Sequence, residues 1–165
     1  MITLKKANEK DSKILGKLYY QCWLDTYTSL ADEDGFVSLT KEEAVQFFHK
    51  IKCRDTIEGW ALDELICFCC FGKCVDEDCL PGTGEISQIF VRSDYQLLGN
   101  GRKLVHEAIR ILRRQDYDRV ISWVCTSNTE AIAFYEALGF KWDGSTRPLF
   151  KNNTWIREKR YFRDI

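Results

Sequence analysis

Apolar and polar positions along this chain repeat at two periods, and the change from one to the other marks the elements. "ITLKKA" reads as a first strand, and Asn8 then opens a helix in which Ile14, Leu15, Leu18, Tyr19 and Cys22 share one face. After a loop, Thr40 with Glu43 three residues on forms a capping box for a second helix, whose apolar face carries Val45, Phe48 and Ile51. "IEGWAL" and "ELICFCCFG" read as strands separated only by Asp63, which predicts a hairpin with a short turn. Gly72 to Thr83 is a charged loop. "GEISQIFVR" is the next strand, and its apolar positions Ile86, Ile89, Phe90 and Val91 break a strict alternation, as expected for burial on both faces or for a bulge.

In the second half, Leu104, Val105, Ala108, Ile109, Ile111 and Leu112 mark an amphipathic helix running to about Arg114. "RVISWVC" is a buried strand. Ser127 and Glu130 make a second capping box, and the helix they open stops at Gly139. "FKWDGS" and "TWIREKRYF" close the chain as strands, with "KNN" between Phe150 and Thr154 able to turn a hairpin. This order predicts an α+β layered (α/β) protein, and Glu85 to Cys125 reads as a βαβ crossover with two parallel strands.

Composition narrows the class. The 165 residues suit one domain, residues 1–165, and no Ser/Gly/Pro-rich linker or repeat divides them. Hydrophobic residues at 45% and charged residues at 30% describe a folded, soluble chain. A net charge of −1 gives no broad footprint for nucleic acid, so no nucleic-acid partner is expected. No membrane span and no apolar leader is legible, which predicts a cytoplasmic protein with no membrane partner. The eight cysteines are then expected as free thiols. Five of them, Cys67, Cys69, Cys70, Cys74 and Cys79, crowd into one irregular group without paired CxxC spacing, so they are expected as core or loop thiols and no metal is predicted.

One stretch resists a purely structural reading. In "DYQLLGNGRKLV", Gly99 and Gly101 stand at the mouth of a helix, where each glycine costs roughly 1 kcal/mol against alanine. A helix N-terminus after a strand offers unpaired N–H groups to an anion, and glycines let that anion approach closely. No GK[ST] follows and the glycine spacing is GxG alone, so neither a Walker A loop nor a dinucleotide-binding loop fits. A tight turn and an anion site both remain open.

"EISQIFVRSDYQLLGNGRKLVHEAI" resembles the acetyl-coenzyme A (acetyl-CoA) binding segment of the GNAT superfamily of N-acetyltransferases, with Gln96, Gly99 and Gly101 in the (Q/R)xxGx(G/A) positions. "NTEAIAFYEALGFKWDG" is similar to a later motif of that superfamily, NxxAxxFYxxxGF, through Asn128, Ala131, Phe134, Tyr135, Gly139 and Phe140. The resemblance implies a mixed, mostly antiparallel sheet of six to seven strands with flanking helices and a central parallel βαβ unit. It implies acetyl-CoA as co-substrate, its pyrophosphate on the backbone of Gln96, Leu97, Leu98, Gly99, Asn100, Gly101 and Arg102, with Arg102 or Lys103 adding charge. Its pantetheine arm would lie along Ile89, Phe90 and Val91, where the Val91 N–H becomes an oxyanion donor.

The same resemblance makes Tyr135 a general acid, against its plain reading as a core aromatic, and Glu85 a base, against a solvated residue before a strand. Asn128 would bond the pantetheine arm, or else simply start a helix. Cys125 is the best-placed nucleophile for a covalent route, but direct attack of the amine in a ternary complex is the simpler course. His49 and His106 read as surface residues. Trp23 and Tyr27 could wall an acceptor site, with Asp25, Asp32, Glu33 and Asp34 drawing in a cationic amine; ordinary packing and a solvated loop are the alternative. The expected activity is acetyl transfer to a primary amine, small amines and polyamines before a protein N-terminus or lysine. A non-catalytic acyl-CoA sensor or scaffold is the competing class, and a homodimer stays open.

Overall fold

The computed structural model describes residues 2–28, 39–51, 55–151 and 154–165. Its elements run β1 (Thr3–Lys6), α1 (Ser12–Thr28), α2 (Lys41–Ile51), β2 (Thr56–Ala61), β3 (Glu64–Lys73), β4 (Thr83–Val91), α3 (Asn100–Arg114), β5 (Arg119–Cys125), α4 (Thr129–Ala137), β6 (Lys141–Lys151) and β7 (Thr154–Asp164). The strands form one seven-stranded sheet in the order β1-β2-β3-β4-β5-β7-β6. Every neighbouring pair is antiparallel except β4 and β5, so the α+β expectation and its central βαβ unit both hold.

Local chemistry accounts for the starts of the first two helices. Asn8 accepts from the Lys10 N–H at 2.9 Å while its own N–H donates to Asp11 Oδ2 at 2.9 Å, a reciprocal cap leading through one 3-10 turn into α1. Thr40 and Glu43 do the same for α2, the Thr40 N–H donating to Glu43 Oε2 at 2.8 Å and the Glu43 N–H to Thr40 Oγ1 at 3.1 Å. On α1, Leu15, Leu18, Tyr19 and Cys22 are buried as the pattern requires, whereas Ile14 points outward. The β2–β3 hairpin takes both Leu62 and Asp63 into its turn, and Leu62 adopts a positive φ of 53° that leaves its side chain in solvent. Asn152 and Asn153 of the second expected hairpin turn lie outside the described residues, and β6 runs on to Lys151, further than "FKWDGS" suggested.

Two cores form, one on each face of the sheet. α1 and α2 cover one face with Leu15, Tyr19, Trp23 and Phe48 against Leu65, Phe68, Cys70 and Phe90 of β3 and β4. α3 covers the other face with Leu104, Val105, Ala108 and Leu112 against Cys67, Cys69, Phe71, Ile86 and Val120. β3 is therefore buried on both sides, and the run "CFCCF" has a packing reason: thiols are small apolar fillers in a strand with no solvent face. Burial pushes the Cys22 and Cys67 thiols up to about 12, so they stay protonated and inert.

Of the two readings of the broken alternation in "GEISQIFVR", burial on both faces or a bulge, the structure shows a bulge, at Ser87. The β3–β4 register skips from Cys70↔Gln88 to Phe71↔Ile86, leaving Ser87 as the extra residue. Its consequence is a sheet that opens. β4 and β5 pair over only three residues, Thr83–Glu85 with Arg119–Ile121, and beyond them β5 bonds β7 alone.

Candidate active site

A cleft of about 710 Å³ occupies the gap that this splay leaves, bounded by the end of β4, the N-terminus of α3 and the start of α4. Backbone register decides what β4 shows to it. The Arg92 N–H donates to the Ile66 carbonyl at 2.9 Å. Hydrogen-bonded and non-bonded pairs alternate in an antiparallel ladder, so Phe90 bonds Phe68 across β3. Ile89 and Val91 turn their N–H and C=O groups the other way, into the gap. The Gln96 side chain confirms that direction, since its Nε2 donates to the Val91 carbonyl at 3.0 Å. Ile89 and Val91 line the cleft, while the Phe90 side chain belongs to the opposite core, its ring 5.3 Å from that of Tyr19.

The segment after β4 folds back through a single 3-10 turn, Ser93–Tyr95, and Leu97 at φ 59° and Gly99 at φ 79° bend it into α3. The two glycines serve different purposes. Gly99 is needed for its left-handed backbone, and a Cβ there would meet nothing within 4 Å. At Gly101 a Cβ would stand 3.2 Å from the Phe134 ring, so this glycine lets α3 approach α4. Asn100 is buried and donates through Nδ2 to the Tyr95 carbonyl at 2.9 Å, anchoring the first turn. Gln96, Leu97, Gly99, Asn100, Gly101 and Arg102 all line the cleft; the Leu98 side chain points to solvent instead. The first-turn N–H groups of α3, which lack intrahelical acceptors, thus meet the positive end of the helix dipole at the cleft wall.

On the far wall, α4 begins one residue later than its sequence signal. Its cap is Asn128, whose Oδ1 accepts from the Ala131 N–H at 3.0 Å, and the Ser127 hydroxyl instead contacts Cys125 Sγ at 3.1 Å. Asn128 therefore is the helix-start residue and also lines the cleft. Tyr135 reaches the cleft from below, its ring edge-on to Phe134 and Phe140 at 5.4 and 5.1 Å. Its hydroxyl lies 2.9 Å from Ser122 Oγ, which lies 2.9 Å from the Ile86 carbonyl oxygen as well. Burial, and then the Cys69 and Glu85 charges, hold the Tyr135 hydroxyl well above its ordinary value; the Ser122 bond acts in the other direction.

Glu85 is not brought to Tyr135's side. It precedes Ile86 on β4 and so projects from the opposite face, next to the point where the sheet opens. Its half-buried carboxyl is raised first by burial, then by Asp76, with Arg147 opposing and Glu158 adding. The sheet opening thus has a tyrosine on one face and a carboxyl with elevated proton affinity on the other. Cys125 keeps the Ser127 hydroxyl as its polar neighbour, and both His49 and His106 are exposed, as expected.

The acceptor-side expectations divide. Trp23 is 1% exposed and stacked on Tyr27 at 5.0 Å, so it is core and not a wall. Asp25 and Thr26 of α1 do line the cleft, whereas Asp32, Glu33 and Asp34 lie outside the described residues. Sequence reasoning missed Ser122, and a signal for it existed: it is the one hydroxyl inside the apolar run "VISWV", and a buried polar group needs a partner.

Among the described residues, metal-ligating atoms gather at Cys74, Asp76 and Cys79. Positive charge is already supplied there. Asp76 accepts from Trp123 Nε1 at 2.8 Å and pairs with Arg160 at 3.5 Å and Arg147 at 3.6 Å. No helix among the described residues is long and apolar enough to cross a membrane.

A family model described as the acetyltransferase (GNAT) family matches residues 14–140. The chain is similar to the uncharacterized N-acetyltransferase YuaI of Bacillus subtilis, at 29% identity over 143 residues, which are 83% of this chain and 79% of that protein. Its fold is similar to that of the PaiA N-acetyltransferase of Thermoplasma acidophilum, solved in complex with coenzyme A, with a TM-score of 0.66, 18% identity, and 98% and 99% of the two chains covered. YncA of Salmonella typhimurium, solved with its cofactor acetyl-CoA, aligns with a TM-score of 0.72 at 16% identity over 99% of this chain and 94% of that one.

Proposed function

Because the chain belongs to the acetyltransferase (GNAT) family, we propose that residues 1–165 work as one domain that carries the acetyl group of acetyl-CoA directly to a primary amine. Small amines and polyamines come before protein N-termini and lysines as acceptors. One observation carries this reading: β4 parts from β5 after Glu85, so that the backbone of Ile89 and Val91 and the N-terminus of α3 face a single cleft. The Thermoplasma and Salmonella proteins of this fold bind coenzyme A and acetyl-CoA, which supports the same donor here.

The roles follow from chemistry. The N–H groups between Leu97 and Arg102 hold the pyrophosphate, with the Arg102 charge beside them. Asn128 has a second lone pair and an amide NH₂ beyond its capping bond, which suits a pantetheine amide. When the amine nitrogen attacks the thioester carbon, the oxygen gathers charge, and the Val91 N–H is the donor aimed into the gap. The C–S bond then breaks with its electron pair on sulfur, Tyr135 gives that sulfur its proton, and the nitrogen sheds its second proton to water as it becomes the amide. A raised tyrosine is protonated across the working range, as an acid must be. Glu85 receives the proton of the incoming ammonium, directly or through water, and its raised carboxyl is better matched to that task than an ordinary glutamate.

The test is incubation with acetyl-CoA and a panel of small amines, polyamines and peptides, with products read by mass spectrometry. Mono-acetylated small amines are expected. Acetylated peptide N-termini with unmodified small amines would reverse the acceptor order, and binding of acetyl-CoA without any product would leave a sensor. Tyr135→Phe should lower kcat about 10²- to 10⁴-fold, with the KM for acetyl-CoA little changed.

A further inference from the structure

Ser122 stands where the parallel ladder stops. Glu85 and Ile121 are the last paired residues, and one step on the Ile86 carbonyl takes its hydrogen bond from the Ser122 hydroxyl at 2.9 Å. Ser122 Oγ also lies 2.9 Å from the Tyr135 hydroxyl, and Ile86, Ser122 and Tyr135 are exposed by only 1%, 3% and 4%. A serine hydroxyl has one proton and two lone pairs. Two proton arrangements are open to these groups, of which the first satisfies both contacts and the second takes the serine proton away from the Ile86 carbonyl. In one, Ser122 donates to Ile86 and Tyr135 donates to Ser122. In the other, Ser122 donates to Tyr135, whose own proton is released toward the cleft.

We propose that Ser122 is a positioning residue for acyl transfer, whose hydroxyl rotates from the Ile86 carbonyl to Tyr135 and so turns Tyr135 from a donor to serine into a donor to the departing sulfur. This rests on Tyr135 being the general acid. As the C–S bond breaks, its electron pair goes to sulfur and the Tyr135 proton follows, leaving a tyrosinate that accepts from Ser122. Solvent then returns a proton to Tyr135, matching the one the amine lost, and the serine rotates back. Rotation is needed because a tyrosinate in this place is poorly solvated. Its ring is enclosed by Phe134 and Phe140, and Ser122 is the hydrogen-bond donor the fold places on its oxygen. A donor to a buried charge is worth more than one to a neutral group, so the bond strengthens as the reaction proceeds.

The experiment compares the full chain with Ser122→Ala, Ser122→Thr, Tyr135→Phe and the double variant Ser122→Ala/Tyr135→Phe. Steady-state rates use acetyl-CoA and the best amine of the panel, and each protein is checked by thermal melting. Ser122→Ala is expected to lower kcat about 10- to 150-fold at nearly unchanged KM for acetyl-CoA. Ser122→Thr should recover most of that loss, and Ser122→Ala should add nothing in the Tyr135→Phe background, since a residue acting through another is silent without it. Should Ser122→Ala fail to fold, Ser122→Cys, a weaker donor, should give a smaller loss in the same direction. A rate equal to wild type for Ser122→Ala, or a multiplicative loss in the double variant, overturns the proposal while leaving Tyr135 as the acid. Wild-type turnover by Tyr135→Phe overturns the acid assignment itself, and this proposal with it.

Discussion

Gly99 and Gly101, two residues apart, meet opposite demands. Gly99 has open space around it and a backbone at φ 79°, so any cost of replacing it is conformational. Gly99→Val should lose about 1–2 kcal/mol by denaturant unfolding, while Gly99→Asn, which tolerates the left-handed region, should keep most of it. At Gly101 the backbone is helical and the obstacle is the Phe134 ring at 3.2 Å. Gly101→Leu should therefore wedge α3 from α4 and weaken acetyl-CoA binding, measured by calorimetry, more than it lowers stability. Unchanged affinity would remove the α3 N-terminus from the donor site. The sequence marked both positions as unusual but could not separate these reasons, because one is a local dihedral and the other a contact across 33 residues of chain.

Helix starts are the element-scale features most legible in the sequence, because their partners sit within a turn of each other. Thr40 and Glu43 bond as their spacing predicts. Ser127 and Glu130 have the same spacing and do not, since Asn128 takes the cap and Ser127 turns to Cys125. Asn128 thereby holds two jobs that substitution can part. Asn128→Ala should cost about 1 kcal/mol in stability and weaken acetyl-CoA binding together. Asn128→Ser keeps an oxygen able to cap and should keep the melting temperature, while losing the amide NH₂ and the affinity that it supplies. Equal affinity for Asn128→Ser and wild type would reduce Asn128 to a cap.

Across the whole molecule, carboxyl groups near the opening of the sheet respond to pH with opposite signs. Burial alone would raise the Asp143 carboxyl, but the Ser145 N–H at 2.8 Å and Arg160 Nε at 2.6 Å outweigh it and hold it low. Arg160 also pairs at 2.7 Å with Asp78, lowered by that bond, so one buried arginine of β7 ties the β3–β4 loop to β6. A depressed carboxyl contributes stability above the unfolded value, near pH 4, which is lost as pH falls through the folded one. Asp143→Asn should therefore lower the melting temperature at pH 7 and change it little near pH 2. Glu85 is raised, so its ionised form is a burden that grows as pH rises from the unfolded value through the folded one. Glu85→Gln should melt higher than wild type at pH 8 and equally at pH 3, and should erase the acid limb of kcat/KM, which for wild type lies above the ordinary glutamate range.

What the sequence determined by itself is whatever depends on short-range repeats: strand and helix identities, the Asn8 and Thr40 caps, and the two spaced motifs that point to the family. These are encoded within a few residues of each other, where backbone geometry leaves little choice. What only the tertiary structure decided is which groups meet. β7 inserts between β5 and β6, the sheet opens after three parallel pairs, and Ser122, Ile86 and Tyr135 converge at that opening. It also turned Phe90 away from the cleft its neighbours line and buried Trp23, because side-chain direction is set by pairing register and by packing against distant elements. A pattern along the chain records that a residue must be buried; the folded sheet settles beside what.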